Sequence, residues 1–169
     1  MVSASGEGVN PNIIPGTWVE EKQYSYPSSG YSDKFSPITT IIPTGSQYTL
    51  SFWAKSTVNG DKVRTHYYNP NTGTKSVSSQ GKTNTDSDGF MTFTLSTKWE
   101  RYWVTYSQSS TTAVKHVICP RLWNGEGSGT IYIKNVKFEE GSVPTPWVPN
   151  EADTIYTGGS PGFSEVTDN

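Results

Sequence analysis

The sequence predicts an all-β protein folded as an antiparallel β-sandwich of the jelly-roll kind, two sheets with about eight to nine strands. Three observations carry that expectation. Short runs rich in Thr, Tyr, Trp and Val alternate between apolar and polar residues, and no helical periodicity of useful length appears. Turn signals built from Gly, Pro, Asn and Asp recur roughly every 8–15 residues. Of the 169 residues, 13% are aromatic and only 17% charged, poor in the Ala, Leu, Glu and Lys that favour helices.

Residues 1–11 are small and polar and are expected to be a flexible N-terminal segment. Asn12-Ile-Ile-Pro opens the module, and Trp18 is expected in the core. Tyr24, Tyr26, Tyr31 and Phe35 stand among Ser, Gly and Pro, a mixture of loop and short strand. Pro37 to Ile42 is a β-branched run stopped by Pro43-Thr-Gly. In Gln47 to Lys55, Tyr48, Leu50, Phe52 and Ala54 face one way, and Thr49, Ser51, Trp53 and Lys55 the other. Val58-Asn-Gly-Asp reads as a hairpin turn, with Val63 to Tyr68 as the partner strand. Residues 74–89 read as a polar loop. Strands follow at Phe90 to Leu95, Trp99 to Tyr106, Val114 to Leu122 and Ile131 to Phe138. The module is bounded at 12–149, and residues 150–169 read as a linker or C-terminal extension.

Net charge is −2, so no basic excess exists to neutralise phosphates and nucleic acid is not an expected partner. No apolar run is long enough for a membrane-spanning helix, and no membrane insertion is expected. Met1 to Gly8 lack the basic and apolar regions of a signal peptide; a removed signal, or release by another route such as lysis, is expected. The single cysteine, Cys119, allows no internal disulfide.

A catalytic constellation is not visible, and an enzyme is not expected. His66 and His116 fall on different strands, and the odd spacing sends His116 and Cys119 to opposite faces. No Gly-x-Ser-x-Gly elbow is present. Most carboxylates read as solvated loop charges, among them Glu20, Glu21, Asp61 and Glu126; a glycosidase pair would need two of them to converge. Gly125-x-Gly-x-Gly129 is a flexible hairpin and leads into no helix.

The informative aromatics break alternation toward solvent. Val63, Thr65 and Tyr67 inward leave Arg64, His66 and Tyr68 outward. Ile118, Pro120 and Leu122 inward leave Val117, Cys119, Arg121 and Trp123 outward. Trp53 and Trp103 also leave the apolar register of their strands. An aromatic plane stacks on the C–H face of a pyranose, and Arg or His side chains hydrogen-bond its rim hydroxyls. Arg64, His66, Tyr68, Arg121 and Trp123 are therefore the candidate saccharide-binding residues. Trp53, Trp103 and Tyr31 form a second rank, for binding or for an interface, and the segment around Trp147 is a candidate cover for the first two.

Asn12-Ile-Ile, Tyr48-Thr-Leu-Ser-Phe-Trp-Ala-Lys, Trp99-x-Arg-Tyr, Ile131-Tyr-Ile-Lys-Asn-Val-Lys-Phe-Glu-Glu-Gly and Thr145-Pro-Trp-Val-Pro resemble a jelly-roll carbohydrate-binding module. The version is the one found in tail and baseplate proteins, the adhesion devices of phages infecting Gram-positive bacteria. The resemblance covers roughly residues 10–150. It implies non-catalytic binding of a bacterial cell-surface saccharide, other domains or subunits of a larger tail protein as partners, and a virion or extracellular location. It implies that Arg64 and Arg121 line the concave sheet and that Trp53 and Trp103 fall on the opposite one. It further implies one structural calcium between the N-terminal strand and an Asp of the last strand. Asn135 stands at that position and supplies one neutral oxygen, with Glu7, Glu20 and Glu139 as the nearest replacements. Two other readings stay open: an accessory module of a secreted glycoside hydrolase, and a structural sandwich packing against other virion proteins through Trp53 and Trp103.

Overall fold

The computed structural model describes residues 8–16, 20–37, 41–42, 46–68, 75–84, 89–107, 112–113 and 116–153. Trp18 and Glu7 lie outside them, as do residues 154–169. Of Phe35, Tyr68 and His116 only the backbone is described.

Twelve strands appear among these residues: β1 (Lys22–Ser25), β2 (Tyr31–Pro37), β3 (Ile41–Ile42), β4 (Gln47–Ser56), β5 (Lys62–Tyr68), β6 (Lys75–Ser78), β7 (Thr83–Asn84), β8 (Phe90–Thr94), β9 (Glu100–Ser107), β10 (Thr112–Ala113), β11 (His116–Trp123) and β12 (Thr130–Glu140). They form a six-stranded sheet, β1-β12-β4-β9-β6-β7, a four-stranded sheet, β2-β11-β5-β8, and a small β10-β3 ribbon. Every pairing is antiparallel. The two larger sheets make the expected sandwich. The strands beyond the expected number are short pieces. Two of them, β6 and β7, lie in the stretch read as polar loop, because the buried positions of β6 are serines, Ser76 and Ser78, with Val77 outward.

The core follows the alternation. Tyr48, Leu50, Phe52 and Ala54 of β4 meet Val63 and Tyr67 of β5 and Phe93 of β8. Rings interlock between the sheets. Phe52 meets Phe93 edge-on at 5.3 Å, and Tyr67 stacks on Tyr106 at 4.5 Å. Thr65 on the same face is fully buried and lies 3.4 Å from the Tyr106 hydroxyl, which satisfies it.

Two sequence expectations change. Val58–Asp61 is not a hairpin: β4 pairs with β12 and β9, and β5 with β11 and β8. The turn carries the chain from one sheet to the other, and a turn sequence alone does not decide which strands pair. The second change is in β11. Ile118 pairs with His66 and Arg121 with Arg64, so three steps on β11 match two on β5. This one-residue bulge, which contains Pro120, inverts the alternation. Val117 and Cys119 enter the core, while Ile118 shares the outer row of His66; the expected outward Val117 and Cys119 and inward Ile118 are reversed. Burial pushes the Cys119 thiol well above its usual pKa, so it is an inert core residue.

A second bulge lies in β12. Lys134 pairs with Trp53 and Lys137 with Ser51, again three steps against two. Asn135 adopts φ 55° there, the left-handed region that asparagine tolerates. Before the bulge Ile131 and Ile133 face the core. After it Phe138 does, and Lys137 and Glu139 point to the outer face beside Ser51 and Thr49.

That outer face is covered. Residues 141–148 turn back over the six-stranded sheet as a strap. Thr145 donates its amide and its hydroxyl to the Glu139 carboxylate, the hydroxyl at 2.5 Å. Lys137 Nζ donates to Thr145 Oγ1 and the Pro146 carbonyl, each at 2.8 Å, and lies 3.5 Å from Glu139 Oε1. Arg101 bridges Ser51 Oγ and the Thr145 carbonyl. Trp147 Nε1 donates to the Val136 carbonyl, and Asn12 donates to the carbonyls of Val136 and Val148. Chain ends join the same seam: Asn10 Nδ2 donates to the Glu140 carbonyl, and Gly16 N to the Asp153 carboxylate.

The side chains of Lys137 and Glu139 are both 0% exposed. Desolvation lowers the Lys137 pKa below the ordinary lysine value, and the Glu139 carboxylate offsets part of that. Lys137→Met strands a buried carboxylate and should cost about 3–5 kcal/mol in urea denaturation. Lys137→Met combined with Glu139→Leu should recover part of that loss. A single variant as stable as the parent would show that the pair is not a structural keystone.

Candidate functional site

The outer face of the four-stranded sheet holds the second cluster of charge and aromatic rings. Because Val63, Thr65 and Tyr67 face the core, Arg64 and His66 face away from it. The bulge in β11 returns Arg121 and Trp123 to this same face. Cross-strand register then builds two complete rows. One runs Asp33–Arg121–Arg64–Thr92 across β2, β11, β5 and β8. The next is formed by Ile118, His66 and Phe90, with Phe35 completing its register on β2. Tyr31 pairs with Trp123 at the end of the sheet.

Arg121 and Arg64 are direct cross-strand neighbours, an arrangement of like charges that is unfavourable by itself. Each arginine carries its own carboxylate. Arg121 donates from Nε and Nη2 to Asp33 at 2.6 and 2.7 Å. Arg64 donates from Nε and Nη2 to Glu126 at 3.2 and 2.5 Å. Both forks are bidentate, which fixes the guanidinium planes.

Each guanidinium also lies over aromatic rings. Arg121 lies 4.2 Å from the Tyr31 ring centre and 4.7 Å from that of Phe90, and Arg64 lies 5.2 Å from that of Trp123. Tyr31 and Trp123 are 5.1 Å apart and tilted by 46°. His66 stacks on Phe90 at 3.9 Å. Solvent reaches the array: Tyr31 is 53% exposed, and the Arg64 side chain 31%. Trp123 Nε1 is buried and has no hydrogen-bond partner among the described residues. An unpaired buried donor is costly until an acceptor reaches it.

Glu126 comes from the loop between β11 and β12, and Asp61 fixes that loop. The buried Asp61 carboxylate accepts from Ser56 Oγ at 2.6 Å, Ser128 N at 3.1 Å and Gly129 N at 2.9 Å. The Lys62 amide donates to the Glu126 carbonyl at 3.0 Å. Gly129 is required by crowding, since a β-carbon there would lie 2.5 Å from Thr57 Oγ1 and 2.7 Å from Asp61 Oδ2. At Gly127 it would collide with the Tyr26 ring. The Tyr26 hydroxyl donates to the Lys62 carbonyl at 2.6 Å, and burial, with Asp61 and Glu126 nearby, raises its pKa well above the usual tyrosine value.

Of the five first-rank residues, Arg64, His66, Arg121 and Trp123 come together here. Tyr68 ends β5 in register with His116, and its side chain lies outside the described residues. Tyr31, from the second rank, belongs to this array. Trp53 and Trp103 do not. They are half-buried on the outer face of the six-stranded sheet, where the strap crosses. Sequence reasoning missed Asp33, Phe90 and Glu126. Alternation from Tyr31 through Asp33, and outward from core Met91 and Phe93, contains the first two. Nothing local marks Glu126, whose role depends on the fold of its loop.

The residues named for calcium fit it poorly. Glu139 is engaged by the Lys137 ammonium and by Thr145, a cationic and hydroxyl environment in place of open oxygen ligands. Asn135 Oδ1 is buried without a partner among the described residues, Glu20 is exposed, and no cluster of three His, Cys, Asp or Glu side chains suited to a metal occurs among those residues.

No family model and no curated protein matches the chain. Solved structures do. A tripod from the baseplate of bacteriophage Tuc2009 is 18% identical, with a TM-score of 0.42, over 85% of this chain and 60% of that one. A structure described as "CBM4 structure and function" is 16% identical, with a TM-score of 0.43, over 76% of this chain and 94% of that one. The arabinose-bound MgGH51 α-L-arabinofuranosidase is 11% identical, with a TM-score of 0.48, over 76% of this chain and 21% of that one. The chain thus spans less than two-thirds of the baseplate and arabinofuranosidase chains.

Asp61→Ala should cost about 1–3 kcal/mol in urea denaturation, because two part-buried amides and the buried Ser56 hydroxyl lose their acceptor. Hydrogen exchange at Ser128 and Gly129 should accelerate in the same variant. Unchanged exchange there would remove Asp61 from its role in holding Glu126.

Proposed function

We propose that the outer face of the β2-β11-β5-β8 sheet binds saccharide without catalysis. The ligand is a polysaccharide of the Gram-positive cell wall, and the chain serves as the host-recognition module of a phage tail or baseplate protein. One observation carries the reading: Tyr31, Trp123 and Phe90 converge on one solvent-facing sheet with two arginines held in fixed planes. Exposed ring surface suits the C–H face of a sugar, and the remaining guanidinium N–H groups and carboxylate lone pairs suit its hydroxyls. The group is already ordered by its own forks and stacks, so binding loses little side-chain entropy.

The proposed setting is a virion or the extracellular space, with the module repeated among other domains or subunits. A single site would bind at about micromolar to millimolar Kd, roughly 4–8 kcal/mol, and repetition on a particle would multiply this into firm attachment. No metal takes part in this reading.

Fluorescently labelled protein should decorate host cell walls, and a glycan array should identify the bound oligomer. Arg64→Ala and Trp123→Ala should each weaken binding at least about tenfold, or about 1.4 kcal/mol. Retention of full affinity by both variants, or no binding to any wall or glycan, would sink the assignment.

Trp53 and Trp103 are assigned to contact with a neighbouring domain or subunit. Replacing both with Ala should leave glycan titrations unchanged and impair assembly with the parent protein's neighbours. Loss of glycan binding in that double variant would place the ligand on the wrong sheet.

A further inference from the structure

Resting on the saccharide reading, we infer that this site selects uncharged glycans and rejects phosphate- or carboxylate-bearing wall polymers. Two arginines on a binding face ordinarily suggest an anionic ligand. Here both are already committed. Arg121 spends Nε and Nη2 on Asp33, and Arg64 spends the same two nitrogens on Glu126. Two cations and two carboxylates cancel within the array. Lys62, exposed at the end of the same β5 row, adds one well-hydrated ammonium at the rim.

The hydrogen-bonding chemistry points the same way. A hydroxyl both donates and accepts, whereas a phosphodiester oxygen only accepts. Each guanidinium donor has a carboxylate acceptor beside it, so a polyol finds a complement for each role. A phosphate placed at either guanidinium would meet a carboxylate already there. It would have to displace Asp33 or Glu126, leaving a partly buried carboxylate unpaired, or stand beside it as a like charge. Beside the Arg121 fork stands Tyr31, 53% exposed, whose free ring surface takes a C–H face.

The test is titration calorimetry with two probes: a set of neutral oligosaccharides, and poly(glycerol phosphate). Wild-type protein should bind a neutral oligosaccharide, with Kd changing no more than about twofold between about 0.05 and 0.5 M salt. It should not bind the phosphate polymer. Asp33→Asn combined with Glu126→Gln, checked for native circular dichroism, should gain binding to that polymer and lose it at least about tenfold over the same salt range. The wild-type salt series needs no variant and stands if the double variant fails to fold. Salt-sensitive wild-type binding to poly(glycerol phosphate) alongside a neutral oligosaccharide overturns the selectivity and leaves the saccharide reading standing, and binding to the phosphate polymer alone overturns both. Binding to neither probe overturns the selectivity and the saccharide reading together.

Discussion

Two one-residue bulges decide what this sandwich shows to solvent. A strand alternates with period two, so one extra residue exchanges the faces of everything that follows. In β11 the bulge between Ile118 and Arg121 lets Val117 and Cys119 fill the core while Arg121 and Trp123 still reach the outer face. Without it, the residues that place Val117 inside would turn Arg121 and Trp123 inward as well. In β12 the bulge at Asn135 keeps Ile131, Ile133 and Phe138 in one core while Lys137 and Glu139 emerge on the other side. Each sheet thus owes part of its outward chemistry to one bulge.

The two outer faces use charge in opposite ways. On the six-stranded sheet, Lys137 and Glu139 are removed from water entirely and satisfied by a strap that supplies a hydroxyl, an amide and a carbonyl. Charges buried so completely need every partner, and this makes residues 141–148 part of the module. On the four-stranded sheet, the Arg–carboxylate pairs remain partly solvated and add little to folding. Their effect is geometric: bidentate forks hold guanidinium planes against aromatic rings. The first face is closed by its ion pair, and the second is organised by two and left open.

Local alternation made much of this readable. The β4 and β5 patterns place Phe52 and Tyr67 in the core and Arg64 and His66 outside it, because each strand is regular through those residues. Arg121 and Trp123 come out on the expected face, but for a different reason: an unbroken alternation through Val117 and Cys119 gives the right parity only because the inverted half of the strand comes first. Neighbouring strands were less legible. Val58–Asp61 has the residues of a hairpin and makes a crossover, since pairing is settled by which sheet buries each strand. Glu126 reads as a solvated glycine-rich-loop charge until Asp61, remote in sequence, fixes the loop under it. The segment around Trp147 reads as a candidate cover for Trp53 and Trp103, and the burial of Glu139 shows what holds it there.

The arginine pair connects these observations. Arg64 and Arg121 stand directly opposite each other, and their mutual repulsion would splay two mobile side chains into solvent. Asp33 from a strand and Glu126 from a loop pull each guanidinium outward into its own fork, and the rings of Tyr31, Phe90 and Trp123 hold the planes from their faces. Cancelling the charge therefore also fixes the shape. In the proposed saccharide reading, a surface ordered in this way would discriminate by fit and hydroxyl geometry, with little long-range attraction.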